Sequence, residues 1–178
     1  YICGNVGSGS VQELNEWVEY LTSDAISPMT NLRKKNVRHE PGKVRLWAVG
    51  NESWGCGGNM TPQYYADLMR QYSTFCRNYS GNRMLKVACG PYGEDFDWTE
   101  VLMHEQKNRN MMQGLALHYY SVYKDWNNKG SATDFSVDRW FGQIKMALKM
   151  EELIVKHSEI MDKYDPDKRI GLAVDEWG

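Results

Sequence analysis

The sequence predicts an α/β protein, specifically part of a (β/α)8 TIM barrel. Three observations lead there. Short apolar runs alternate with helix-period segments from end to end, in the order β-α-β-α-β-α-β-α-β with no hairpin between them, which is the signature of a parallel sheet. Two of those runs, Leu46-Trp47-Ala48-Val49-Gly50 and Ile170-Gly171-Leu172-Ala173-Val174, lead directly into the acidic steps Asn51-Glu52 and Asp175-Glu176. Barrels place their chemistry at such C-terminal strand ends. A doubly wound sheet would fit the same order of elements, but no GxGxxG or P-loop follows any strand.

Each element has a local reason. Tyr1 to Asn5 reads as the tail of a strand, and Val6-Gly7-Ser8-Gly9 as the loop after it. Ser10 is placed to cap a helix whose apolar face is Val11, Leu14, Val18 and Leu21. Residues 23 to 42, polar and interrupted by Pro28 and Pro41, are expected to form a long loop that includes the basic patch Lys34, Lys35 and Arg38. Val44 to Val49 is the first complete strand. The turn Gly55-Cys56-Gly57-Gly58 is expected to need backbone conformations that glycine adopts freely.

Thr61 and Pro62 fit the N-cap and first position of a helix striped by Tyr65, Leu68, Met69, Tyr72, Phe75, Cys76 and Tyr79. Leu85 to Cys89 forms the next strand, ending in Gly90-Pro91-Tyr92-Gly93. Asp97 is expected to cap a helix reaching about Arg109, and Gly114 to His118 is again a strand. The connection from 119 to 135 is long and rich in Tyr, Trp, Asn and Gly, a character common in functional loops. A helix then runs from about Val137 to Tyr164, and the last strand delivers Glu176.

Composition removes several classes of function. A net charge of −2 without a basic stripe gives no electrostatic footprint for nucleic acid. No apolar run approaches the ~20 residues of a membrane span. Cys3, Cys56, Cys76 and Cys89 show no CxxC spacing and read as buried free thiols, which mildly favours a reducing, cytoplasmic setting. No metal site is expected: His39-Glu40 and His104-Glu105 lack the second histidine of a zinc-binding helix. No cofactor motif is present. The 7 Trp and 11 Tyr against 4 Phe favour surfaces that are both apolar and wet, such as sugar clefts.

Two carboxylates at one rim are the minimum equipment for glycoside hydrolysis. Glu52, seated after a buried strand and under a glycine-rich turn, is expected to be partly desolvated, which suits a general acid. Glu176 is the expected nucleophile, held ionised by donors on its second oxygen. Strand alternation turns Asp175 the other way, toward a role supporting the site's residues or a structural one. His118 and Tyr120 end a third strand at the same rim and could orient a carboxylate or meet a sugar hydroxyl. Asn51 could donate to the sugar 2-hydroxyl. Trp54, Trp126 and Trp177 are candidate stacking platforms.

These residues resemble a known family. Leu46-Trp47-Ala48-Val49-Gly50-Asn51-Glu52-Ser53-Trp54-Gly55-Cys56-Gly57-Gly58 and the closing Val174-Asp175-Glu176-Trp177-Gly178 are similar to the α-L-arabinofuranosidases of glycoside hydrolase family 51. Gly4-Asn5-Val6-Gly7-Ser8-Gly9, Trp17-Val18-Glu19-Tyr20 and Leu117-His118-Tyr119-Tyr120 resemble it too. The resemblance implies a retaining double displacement on terminal arabinofuranosyl groups of arabinoxylan or arabinan. It makes Glu52 the acid/base and Glu176 the nucleophile, with Asn51, His118 and Tyr120 at substrate-binding positions. It also implies that residues 1–178 run from the end of barrel strand 3 through strand 7, an incomplete catalytic domain whose other strands and C-terminal β-sandwich lie elsewhere. The expected partners are an arabinose-containing saccharide and the complementary barrel segments, with a homo-oligomer as a further possibility. Within the same chemistry a β-xylosidase or endo-β-1,4-glucanase is the alternative; outside it, a non-catalytic sugar-binding or assembly fragment.

Overall fold

A computed structural model describes residues 1–107 and 109–178. Five parallel strands lie side by side in chain order: β1 (Ile2–Gly4), β2 (Leu46–Val49), β3 (Leu85–Ala88), β4 (Gly114–Tyr119) and β5 (Gly171–Trp177). The helices between them are α1 (Val11–Thr22), α2 (Pro28–Lys35), α3 (Pro62–Phe75), α4 (Phe96–Gln106) and α5 (Val137–Tyr164). Strand order separates the two architectures that the sequence pattern allows. A doubly wound sheet reverses direction at a switch point, whereas here every strand pairs only with its neighbours in sequence. The sheet is an arc of a (β/α)8 barrel.

Local chemistry accounts for the elements. Ser10 caps α1 through a reciprocal box: its hydroxyl accepts from Glu13 N–H at 3.1 Å while Glu13 Oε2 accepts from Ser10 N–H at 2.6 Å. Thr61 caps α3 with Pro62 behind it. The main core lies between strands and helices: Trp47 on β2 is fully buried and meets Trp17 of α1 edge-on at 5.3 Å. Tyr65 of α3 stacks on Trp98 of α4 at 5.5 Å, and its hydroxyl donates to Val49 carbonyl at the end of β2.

Four expectations need correction. Residues 23 to 42 are not all loop, because α2 occupies Pro28–Lys35. Its start is written as Ser27 at the N-cap and Pro28 in the first turn, but its tie to the body is an Arg, not an apolar stripe. Arg33 is buried and donates to the carbonyls of Tyr20 and Ser23, each at 2.7 Å. Lys34 and Lys35 sit in its last turn, where positive charge suits the helix end.

Helix α4 is capped by Asp95, not Asp97. It ends at Gln106; the expected end took in Asn108, which lies outside the described residues. Of the four thiols, Cys76 and Cys89 are buried whereas Cys3 and Cys56 are exposed; all four are free.

Finally, the glycine turn after β2 meets the expectation only at Gly58, whose φ is 144°. Gly55 and Gly57 do not have positive φ. Gly57 is required by contact instead: a Cβ there would lie 1.8 Å from the Asn51 carbonyl oxygen.

Candidate active site

The C-terminal ends of β2, β4 and β5 bring the predicted carboxylates together. Glu52 follows β2 in a left-handed backbone conformation, φ 43°, next to Gly50 at φ 87°. A non-glycine residue held there stores about 1–3 kcal/mol, a strain that clusters at functional positions. The turn below supplies the restraint, since Glu52 carbonyl accepts from Gly55 N–H at 2.8 Å and Gly57 N–H at 2.9 Å. Glu176 arrives from β5, paired with His118 of β4.

A register shift between Leu117 and His118 decides what faces the site. Leu117 pairs with Val174 but His118 pairs with Glu176, so Asp175 is an extra residue on β5. Such a bulge breaks strict alternation. Asp175 therefore lies beside His118, with Oδ1 3.3 Å from Nε2, and accepts from the Tyr1 hydroxyl at 2.5 Å. The alternation argument that turned Asp175 away from the site fails for this reason.

His118 is the hub. Its Nδ1 lies 3.2 Å from Glu52 Oε1 and 3.5 Å from Glu176 Oε2. The backbone fixes the ring, because His118 N–H donates to Pro91 carbonyl at 3.0 Å and its carbonyl accepts from Gly93 N–H at 2.8 Å. Burial alone would push the imidazole pKa down; hydrogen bonds to Asp175 and Glu52 outweigh it, and the net shift is upward.

Tyr120 hydroxyl donates to Glu176 Oε1 at 2.8 Å, a bond that raises its own pKa. Asn51 Nδ2 reaches Glu176 Oε2 only at 3.5 Å. Cys56 thiol donates to Glu52 Oε2 at 3.1 Å, which raises the thiol pKa. Glu52 thus sits, partly desolvated as expected, between two polar partners with its side chain 19% exposed.

Glu52, Trp54, Tyr92, Tyr120, Trp126 and Glu176 line one open cavity of about 400 Å³. Trp54 leans on Tyr92 at 5.7 Å and donates through Nε1 to Gly90 carbonyl; Tyr120 meets Trp126 edge-on at 5.3 Å. One oxygen from each glutamate and one ring nitrogen of His118 lie within 4.8 Å of one another. That spacing could grip a cation, but it equally suits proton sharing, and walls made of ring faces favour an organic occupant.

Six sequence candidates therefore meet here: Glu52, Glu176, Asn51, His118, Tyr120 and Trp54, with Trp126 beside them. Trp177 does not. Past the bulge alternation resumes, so Trp177 points away from Glu176; it is 71% exposed and lines a separate cavity with Tyr119, Met150 and Val174. Sequence reasoning missed Tyr92, Cys56 and Tyr1. Tyr92 carried a signal, since it lies just past β3 on the same rim. Tyr1 and Cys56 carried none.

An arc of barrel thus brings two carboxylates together across an aromatic-walled cavity, the minimum arrangement that glycoside hydrolysis needs. The chain is 55% identical over all 178 residues to the intracellular exo-α-L-arabinofuranosidase of Bacteroides ovatus, covering 34% of that protein. It superimposes with a TM-score of 0.95, at 46% identity, on the GH51 arabinofuranosidase from Xanthomonas axonopodis pv. citri, covering 36% of that chain. A probable α-L-arabinofuranosidase C of Aspergillus terreus is 38% identical over 95 residues, 52% of this chain and 19% of its own length. No protein-family model matches. Residues 1–178 are homologous along their whole length to glycoside hydrolase family 51 α-L-arabinofuranosidases, and span about a third of the Bacteroides and Xanthomonas proteins.

Proposed function

We propose that the complete protein carrying this chain is a retaining exo-hydrolase of terminal α-L-arabinofuranosyl groups from arabinoxylan or arabinan. One observation carries the reading: oxygens of Glu52 and Glu176 come within 4.8 Å of each other at the mouth of one cavity. Retaining enzymes hold their carboxyl groups about 5–5.5 Å apart, whereas inverting ones leave about 6.5–9.5 Å for a water. The short approach supports direct attack by one carboxylate.

Glu176, held by Tyr120 on one oxygen, attacks the anomeric carbon while Glu52 protonates the departing glycosidic oxygen. The resulting glycosyl ester on Glu176 is hydrolysed by a water that Glu52, now ionised, deprotonates. Asn51, exposed at the rim, meets a sugar hydroxyl, whereas His118, 2% exposed, acts through the two glutamates, and Trp54, Tyr92 and Trp126 offer ring faces for the saccharide. The names of the relatives support the furanosidase over a xylosidase or glucanase. The word intracellular in the Bacteroides name, with four free thiols here, supports a cytoplasmic setting. Among the described residues no helix is long and apolar enough to cross a membrane. Remaining barrel strands and a sandwich domain, supplied by the rest of the protein, would complete the catalytic unit.

The test is a pair of variants in the complete protein, assayed on aryl arabinofuranosides. Glu176→Ala abolishes turnover on every substrate. Glu52→Ala costs about 10²–10⁴-fold on poor leaving groups and far less in the first step for nitrophenyl groups that need no proton. Equal losses on both substrate types would remove Glu52 from the acid role.

A further inference from the structure

We propose that Asp175, placed by the β5 bulge, holds His118 with both ring nitrogens protonated, making His118 a positively charged positioning residue between the two glutamates. The argument is one of donors and acceptors. An ionised carboxylate only accepts hydrogen bonds, and a neutral imidazole has one N–H and one lone pair. His118 turns Nε2 toward Asp175 at 3.3 Å and Nδ1 toward Glu52 and Glu176 at 3.2 and 3.5 Å. A neutral ring would press a lone pair against an ionised carboxylate on one side or the other: Asp175 at 3.3 Å or, when Glu52 carries its own proton, Glu176 at 3.5 Å. At 2% exposure, water has little room to relieve that contact. With both nitrogens protonated, each side is satisfied.

The groups around the ring agree. Glu52 comes from the turn after β2, with Cys56 behind it; Asp175 and Glu176 come from β5. Tyr1 before β1, Cys3 of β1 and Cys89 after β3 stand behind Asp175, and Tyr120 stands beyond Glu176. Burial heads the causes that raise the pKa of Tyr1, Cys3 and Cys89, and the bond to Glu176 raises that of Tyr120. These neighbours stay neutral at physiological pH, so the charged groups facing the ring are carboxylates.

The consequence rests on the double-displacement reading, although the protonation of the ring does not. Negative charge resides on Glu176 before attack and on Glu52 once the ester has formed. Because Nδ1 is within reach of both, one N–H can follow that charge as it moves from one carboxylate to the other. Loss of that proton at alkaline pH would remove the cation that holds the pair close.

The test uses the complete protein labelled with ¹⁵N-histidine. At about pH 7.5, one unit above an ordinary histidine, the two ring nitrogens of His118 should give nearly coincident signals, assigned by their disappearance in His118→Gln. In Asp175→Asn the ring should be neutral at that pH. The alkaline limb of kcat/KM on an activated aryl furanoside should then shift down by about one pH unit or more, with the acid limb unmoved. Widely split nitrogen signals in the wild type, or an unaltered His118 titration in Asp175→Asn, would overturn the proposal. If Asp175→Asn does not fold, the wild-type spectrum decides. An imidazolium in a protein that releases no arabinose would remove the proposed function and leave the ring assignment standing.

Discussion

At the scale of single residues, the site is held by short contacts to each carboxylate oxygen. Tyr120 is the neutral donor to the proposed nucleophile, at 2.8 Å from Glu176 Oε1. A hydrogen bond to a charged group is worth about 1.5–3 kcal/mol. Because that bond fixes which oxygen of Glu176 is free to attack, Tyr120→Phe lowers kcat/KM about ten- to a hundredfold. Steady-state kinetics on an aryl arabinofuranoside, with unchanged melting, checks it. The positions of Glu52 and Glu176 were legible from sequence because each follows an apolar run at a strand's end. Asp175 was misplaced because its side depends on a bulge, and a bulge is set by pairing with another strand, which no local pattern reveals. Trp177 follows plain alternation, which turns it away from Glu176. Cys56 was legible only as a thiol, since its contact to Glu52 depends on how the turn folds back.

Elements position those residues, and their caps and close approaches were unevenly visible. Ser10, Thr61-Pro62 and the bounds of α5 could be read directly, since capping and helical period are local properties. The start of α2 was equally local, but its polar composition hid it, because Arg33 buries its guanidinium instead of an apolar side chain. The turn under Glu52 yields a sharp expectation. Gly57→Ala puts a methyl group 1.8 Å from Asn51 carbonyl oxygen, so the turn must open and Glu52 must shift. Activity should fall at least as far as in Glu52→Ala on poor leaving groups, with a lowered melting temperature; a fully active variant would mean that the turn does not set Glu52.

Helix α5 is tied to the site wall by His157, which is buried. Its Nε2 donates to Gly93 carbonyl at 2.8 Å, and Thr99 hydroxyl donates to Nδ1 at 2.8 Å. Gly93 follows Tyr92 of the cavity wall. Burial, the largest influence, lowers the His157 pKa below its ordinary value. The unfolded chain therefore binds the proton more readily, so this contribution to stability is whole above about pH 6.5 and declines as pH falls through it toward the lowered folded value. Denaturant unfolding of the complete protein should show that loss, and His157→Gln should show a shallower slope over the same window. An equal slope in both proteins would count against the neutral ring.

For the whole molecule, the sequence showed alternation but could not show strand order. The progression from β1 to β5 without reversal is a property of pairing, and it is what separates a barrel arc from a doubly wound sheet. The apolar residues of α5 also went beyond local reading. Val137, Trp140, Phe141, Ile144 and Leu148 follow helical spacing yet all are exposed in residues 1–178, whereas Leu153, His157 and Met161 further along are buried. What the arc does accomplish is convergence: carboxylates 124 positions apart along the chain meet at one rim.

The most direct measurement is the stereochemistry of the first product. The complete protein is mixed with an aryl α-L-arabinofuranoside in the NMR tube, and anomeric proton signals are followed before mutarotation. Attack by Glu176 and then by water gives α-arabinofuranose first. β-Arabinofuranose as the first-formed sugar would mean a single displacement by water, and would contradict the role assigned to the close carboxylate pair.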